Sequence, residues 1–343
     1  MRIALVNTFS PFIRGGAEIL VDDLAEQLKD HGHNVDLFRI PFPKYYEAPL
    51  ITTIEAARML HFDEFERVIT FKFPAYCIKH HEKVIWMFHQ FRQVYELFGS
   101  EYGLEKNSKG ESIRKVVKHV DDDDIRQSKR VYTNAQEVTN RLMLFNKIPS
   151  IVLPPPLKKQ ELYYSENVGD YIYYPSRITD MKRQHLAIEA MRYVKSGVRL
   201  VVTGVSEGAY FKSLKQIIND YGLEKRVDIK DGWVDDDEKR SLLANSLGVI
   251  YIPFKEDSCG FVTMEAFYSA KPVITCTDSG GTGEFVENGV NGFIVEPSAD
   301  AISKVMDILY YDKKLAEGLG RAGLEEITRR DITWPSTIQR LLQ

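Results

Sequence analysis

The chain has 343 residues, 44% hydrophobic and 27% charged, enough for about two domains with separate cores and too apolar for wholesale disorder. Lys and Arg number 45 against 49 Asp and Glu, and the net charge of -4 argues against a protein built to coat nucleic acid. Cys77, Cys259 and Cys276 are too few and too scattered for a disulfide scaffold or a cysteine-rich zinc site.

No apolar stretch approaches the ~20 residues that cross a bilayer, and the opening run is too short for a signal-peptide apolar region. The expectation is a cytoplasmic protein, with contact at the inner face of the membrane left open.

Residues 2–6 form a continuous apolar run, which suits a strand buried on both faces. A turn containing Gly15 and Gly16 follows. Then Ile19, Leu20, Leu24 and Leu28 recur at helical spacing opposite Asp22, Asp23, Glu26 and Lys29. Gly32 closes that helix, and residues 34–38 begin a second strand. Strand, helix, strand in this order predicts a parallel sheet with a right-handed crossover.

Further strands are expected at 67–70, 83–88 and 130–133, with a helix at 121–128. Pro154, Pro155 and Pro156 then break the alternation and mark a linker. Beyond it, strands are expected at 170–174, 199–203, 227–230, 248–252, 272–275 and 292–295, and helices at 184–191, 210–221 and 236–245. The pattern predicts an α/β protein with two doubly wound, Rossmann-like parallel-sheet domains facing a central cleft. Ligands of such sheets bind beyond the carboxyl ends of the strands.

Two stretches at strand ends carry chemistry. In the first, Arg177 and Lys182 follow the opening strand of the second half. A planar guanidinium fork and a point-charge ammonium suit a diphosphate. In the second, Asp257 and Glu265 stand eight residues apart, with Gly260 between them at the start of a helix near Phe261. Gly260 permits close backbone approach, and N–H groups at the helix start suit hydroxyl or phosphate oxygens. On residue types alone, the alternative stays open that Glu256 and Asp257 cap the helix and that Glu265 lies on the surface.

Together the two stretches resemble the family 4 retaining glycosyltransferases, whose fold is GT-B. That family carries an Arg, four residues, Lys element at the start of its second half, matched by Arg177 and Lys182. It also carries a Glu, seven residues, Glu element, matched by Asp257 and Glu265 with Asp in place of the first Glu. Gly15-Gly16-Ala17-Glu18 is similar to its first glycine loop, His89 to a strand-end histidine, and Thr133-Asn134-Ala135-Gln136 to its strand–helix turn. The stretches 280–284 and 288–293 are similar to its glycine-rich block, and Thr333-Trp334 precedes a last helix that crosses back to the N-terminal half.

The resemblance implies an N-terminal acceptor-side domain at 1–153, a nucleotide-sugar-binding domain at 154–328 and a returning helix at 329–343. It implies a hexosyltransferase that moves a sugar from a nucleotide-diphosphate sugar to a saccharide, lipid-linked or small-molecule acceptor, in surface polysaccharide or glycoconjugate assembly. Arg177 and Lys182 would hold the leaving diphosphate, Asp257 the donor sugar with backbone groups of Gly260, Phe261 and Val262, and Glu265 the ribose. Gly15 and Gly16 would approach the diphosphate, His89 the reaction centre, and Trp233 and Val234 the base, with Gly204 also at the donor. No metal or other cofactor is expected, and no nucleic-acid partner.

Four readings follow from residue types. Residues 121–124 and 235–237 are acidic runs that read as caps of solvated helices. His80 and His81 could be metal ligands, but adjacent histidines in a strand point to opposite faces, and the pair reads as surface or core residues. Cys259 need not act as a nucleophile, and the aromatic stretch 86–98 suits a core, an acceptor site or a membrane surface. Rival functions are a nucleotide-sugar epimerase on the same fold and a non-catalytic sugar-nucleotide-binding protein. A dehydrogenase is disfavoured, because the Gly-x-Gly-x-x-Gly fingerprint is missing after the first strand.

Overall fold

A computed structural model describes residues 1–10, 15–42, 50–256 and 260–343. The chain divides into two units, Met1–Pro156 with Thr333–Gln343, and Leu157–Ile332.

The first unit runs β1 (Arg2–Phe9), α1 (Gly16–Asp30), β2 (Asn34–Pro41), α2 (Leu50–Arg58), β3 (Arg67–Lys72), β4 (Lys83–His89), α3 (Ser108–Arg126), β5 (Arg130–Thr133), α4 (Gln136–Asn146) and β6 (Ile151–Val152). Its sheet has the order β2-β1-β3-β4-β5-β6, and every pairing is parallel. Ile3, Ala4, Leu5 and Val6 are fully buried, as a strand covered on both faces requires. The chain reverses direction across the sheet between β1 and β3, so their carboxyl ends form the switch point where such sheets take ligands.

The second unit runs β7 (Tyr171–Pro175), α5 (Gln184–Ala190), β8 (Arg199–Gly204), α6 (Gly208–Asp220), β9 (Val227–Asp231), α7 (Asp236–Ala244), β10 (Gly248–Ile250), α8 (Phe261–Tyr268), β11 (Val273–Cys276), β12 (Gly292–Val295), α9 (Ala299–Tyr311) and α10 (Lys313–Arg329). Its parallel sheet has the order β12-β11-β10-β7-β8-β9, with the switch point between β7 and β10. One core cluster gathers Ile172, Leu200, Val202 and Ile250 with Met306 and Leu309, and another gathers Tyr173, Val249 and Val273 with Met264 and Phe267. The sheet is therefore covered on both faces.

The last helix, α11 (Trp334–Leu342), belongs to the first unit. Thr333 caps it, Ile338 and Leu341 are buried, and its C-terminal carbonyls are held by that unit. Arg67 donates to the Leu342 carbonyl at 3.2 Å, and the Tyr132 hydroxyl to that of Arg340 at 2.9 Å.

Three expectations need correction. The helix expected at 121–128 is the end of α3, which starts at Ser108, so residues 121–124 cap nothing at its amino end. Asp121 and Asp124 are 0% and 1% exposed and point into the unit, not into solvent. His80 and His81 lie outside the strands, with rings 4.5 Å apart and tilted by 34°, so they do not face opposite ways. By contrast, Asp235 caps α7 by accepting the Glu238 N–H at 2.8 Å.

Candidate active site

In the second unit, the ends of β7, β8 and β10 build the site. Gln184, fully buried, donates to Ser176 Oγ and to the Arg177 carbonyl, both at 2.9 Å, and so fixes the turn after β7. That turn presents Arg177, whose side chain is exposed and has no partner among the described residues. Gly204 ends β8 at φ +153°, and a Cβ there would stand 1.9 Å from the Ser176 carbonyl oxygen. Gly204 thus lets the β7 turn lie against β8, a packing duty beside its expected donor role.

Lys182 ends a short helical turn, Asp180–Lys182. Its ammonium donates to the Tyr251 hydroxyl at 2.7 Å, forms an ion pair with Glu256, and lies 5.1 Å from the Tyr251 ring centroid. Tyr251 also donates to Glu256, at 3.1 Å. Arg183 follows in the left-handed region, at φ +56°. Its guanidinium binds Asp278 with two bonds of 2.7 Å and donates to the carbonyls of Ile252 at 2.8 Å and Pro253 at 3.1 Å. Burial works against the charge of Arg183, but the Asp278 carboxylate outweighs it and raises the guanidinium above its ordinary range. Arg183 therefore ties the Lys182 turn to the ends of β10 and β11.

Glu256 runs beside the glycine-rich block. Its carbonyl accepts from the Gly281 N–H at 2.9 Å, and a Cβ on Gly280, at φ +64°, would meet that oxygen at 2.4 Å. The glycines at 280–281 thus back the acidic loop. Asp257, with Ser258 and Cys259, lies outside the described residues.

Gly260 caps α8 at φ +76°, where a Cβ would press 2.7 Å from the Tyr251 ring. Phe261 and Val262 are half-buried in the first turn of α8. Glu265, one turn on, is 6% exposed, which corrects the surface alternative. Its Oε1 accepts from Lys239 Nζ at 2.6 Å and from the Tyr163 hydroxyl at 3.2 Å. Trp233 is 69% exposed and Val234 half-buried in the turn between β9 and α7, the helix that carries Lys239.

In the first unit, Gly15 caps α1, and its N–H donates to Glu18 at 2.9 Å. Gly16 is exposed. Glu18 pairs with Lys72 at 2.7 Å, and Lys72 lies beside His89 in the β3–β4 register. Burial pushes the Glu18 carboxyl up, but Lys72 and backbone N–H groups outweigh it and hold it below its ordinary range. His89 ends β4 with its Nδ1 2.7 Å from the Gln90 carbonyl.

The structure thus gathers Arg177, Lys182, Gly204, Gly260 and Glu265 at one end of the second sheet, and Gly15, Gly16 and His89 at one end of the first. Sequence reasoning missed Lys72, Tyr163, Lys239, Tyr251 and Asp278 as supporting residues. Only proximity in the fold marks them; none shares a spacing with the residues it serves.

The fold and this strand-end site define a class: both units are doubly wound and Rossmann-like, and the fold is GT-B. Chain-length likeness to Anabaena Alr3699/HepE, solved with UDP, carries that assignment, with a TM-score of 0.72 at 17% identity over 99% of this chain and 98% of that one. Residues 165–326 match the family model for glycosyl transferases group 1.

Among curated relatives, the mouse α-1,3/1,6-mannosyltransferase ALG2 is 31% identical over 121 residues, 35% of this chain and 28% of that protein. The uncharacterised glycosyltransferase MJ1178 of Methanocaldococcus jannaschii is 24% identical over 95% of this chain and 93% of its own length. The chain spans less than half the length of the ALG2 relatives it matches. No helix among the described residues is long and apolar enough to cross a membrane. Among the same residues, no group of three or more His, Cys, Asp or Glu could hold a metal ion.

Proposed function

We propose that the chain is a retaining glycosyltransferase that moves a hexose from a nucleoside diphosphate sugar to an acceptor hydroxyl. The single observation that carries this reading is the strand-end arrangement of the second unit, within the span that matches the group 1 family: Lys182, braced by Tyr251, Glu256 and Arg183, beside exposed Arg177. A cation fixed by its neighbours pays little reorganisation when negative charge develops on a leaving diphosphate, and removing such a contact commonly costs about 10²–10³ in rate.

In the reaction the bond from the anomeric carbon to the diphosphate breaks. A bond from the acceptor oxygen forms on the same face, and the acceptor proton passes to the leaving phosphate. Arg177 and Lys182 supply the positive charge, so no metal is required. Glu265 accepts the ribose hydroxyls, and Trp233 and Val234 flank the base. The diphosphate competes with Glu256 for the Lys182 ammonium, so donor binding exchanges one anion for another there. Gly15, Gly16 and His89 keep their expected roles as proposals for the donor and the reacting centre, and Asp257 for the donor sugar. UDP in the HepE structure and mannosyl transfer in the name of ALG2 support this substrate class.

The test is a thermal-shift screen of UDP-, GDP- and ADP-sugars, in which a ligand at 100 times its dissociation constant stabilises by about 2.7 kcal/mol. Turnover with an acceptor panel then follows. Lys182→Ala should lower transfer at least about tenfold while the melting temperature stays near wild type. Near-normal turnover in that variant would remove the leaving-group role. Nucleotide binding without transfer to any acceptor would favour a binding protein, and an epimer formed without acceptor would favour an epimerase.

A further inference from the structure

We propose that Lys239 positions the Glu265 carboxylate for the ribose of a bound nucleoside diphosphate and so sets selectivity for ribonucleotides over 2′-deoxyribonucleotides. The inference rests on the donor reading above.

Glu265 stands in α8 and is almost wholly buried, in surroundings that would strongly disfavour an unpaired carboxylate. Two donors meet it, and both go to one oxygen. Lys239 Nζ lies 2.6 Å from Oε1, and the Tyr163 hydroxyl lies 3.2 Å from the same atom. Oε2 has no partner among the described residues, so its lone pairs stay available to a ligand. The carboxylate is thus clamped on one side and open on the other, the arrangement needed to accept hydroxyl protons in one orientation.

The two donors come from separate parts of the unit: Tyr163 from the segment before β7, and Lys239 from the second turn of α7. Burial works against the Lys239 charge, yet the adjacent Glu265 holds its ammonium above the ordinary range. Burial, and then the Glu265 charge, drives the Tyr163 hydroxyl up, so it remains a donor. The ion pair with Lys239 thus fixes a hydrogen-bond acceptor at this spot, and charge-assisted bonds to a vicinal diol are stronger than neutral ones. Lys239 also stands in the helix that begins just after the turn of Trp233 and Val234, so one short stretch of chain connects the base-flanking turn to the ribose-reading carboxylate. Loss of the lysine would free the carboxylate to rotate and leave it buried without its cation, whereas the base and phosphate contacts would stay as they are.

The experiment is calorimetric titration of the full chain with UDP, GDP and ADP and with their 2′-deoxy counterparts. Wild type should bind the ribo form of its preferred base about tenfold or more above the deoxy form. Lys239→Met should weaken the ribo form about tenfold and leave the deoxy form nearly unchanged, so that the ratio falls toward one. Because that change strands a buried carboxylate, the double variant Lys239→Met, Glu265→Gln provides a neutral pair of similar size, and it should show the same collapsed ratio. A wild-type ratio kept in folded Lys239→Met would overturn the role of Lys239 alone, whereas a ratio kept in the double variant, or a wild type indifferent to the 2′-hydroxyl, would overturn the ribose role of Glu265 and the role of Lys239 with it. Failure of wild type to bind any of the three ribonucleotides would instead overturn the donor reading itself, and this inference with it.

Discussion

Gly260 shows how much of the site rests on single residues. Its φ of +76° favours glycine, and the added methyl of Gly260→Ala would press against the Tyr251 ring. That ring lies under Lys182, and its hydroxyl binds both Lys182 and Glu256. The substitution should cost about 1–3 kcal/mol of stability through backbone strain alone. It should also weaken nucleotide binding beyond what that strain accounts for. Denaturant titration and calorimetry of the same variant would check the two effects, and unchanged affinity would show that Tyr251 does not relay the shift to Lys182. Arg183 makes the converse case. It accepts a left-handed backbone that glycine would take more easily, and its guanidinium then bonds Asp278 and the carbonyls of Ile252 and Pro253, which holds the Lys182 turn.

At the scale of elements, α3 carries a buried acid into the core of the first unit. The hydroxyls of Tyr76 and Tyr95 donate to Asp121 at 2.9 and 2.7 Å, and Asp124 binds Arg58 at 2.9 Å. Nearby, Lys83 Nζ donates to the carbonyls of Tyr76, Ile78 and Asp124. Burial pushes the Asp121 carboxyl from 3.8 up to about 7, against the pull of its hydrogen bonds. The sign follows from proton counts. Between these values the folded protein holds a proton that the unfolded chain has released, so unfolding free energy falls as pH rises from about 4 to about 7. Asp121→Asn should flatten that slope, which urea titrations at a series of pH values would detect. An unaltered slope would mean that Asp121 is ionised throughout. The same burial pushes Lys83 down to about 8.

For the whole molecule, the return of the last helix to the first unit has an energetic consequence. Ile338 and Leu341 are 4% and 0% exposed, in a segment separated from the rest of its unit by the entire second unit. Leu341→Ala should destabilise the first unit by about 2–5 kcal/mol, the usual range for such a truncation in a core. Nucleotide, on the reading proposed here, binds the second unit and stabilises it by mass action. Two calorimetric transitions that respond separately, the first to Leu341→Ala and the second to nucleotide, would bear this out. A single transition moved equally by both would show that the units unfold together.

By itself the sequence determined the alternation of strands and helices, because buried parallel strands are continuous apolar runs and their helices repeat at 3.6 residues. It also marked Arg177, Lys182, Gly260 and Glu265, since those residues share two short stretches of chain. The position of α3 escaped it, because Asp121 and Asp124 carry the composition of a solvated surface and only their buried partners reveal otherwise. The partners of the site likewise came from tertiary structure: Tyr163 and Lys239 reach Glu265, and Asp278 reaches Arg183, across 102, 26 and 95 positions of the chain. Hydrogen bonds and ion pairs depend on distances of a few ångströms in space, and a parallel sheet brings strand ends that near whatever their separation in sequence.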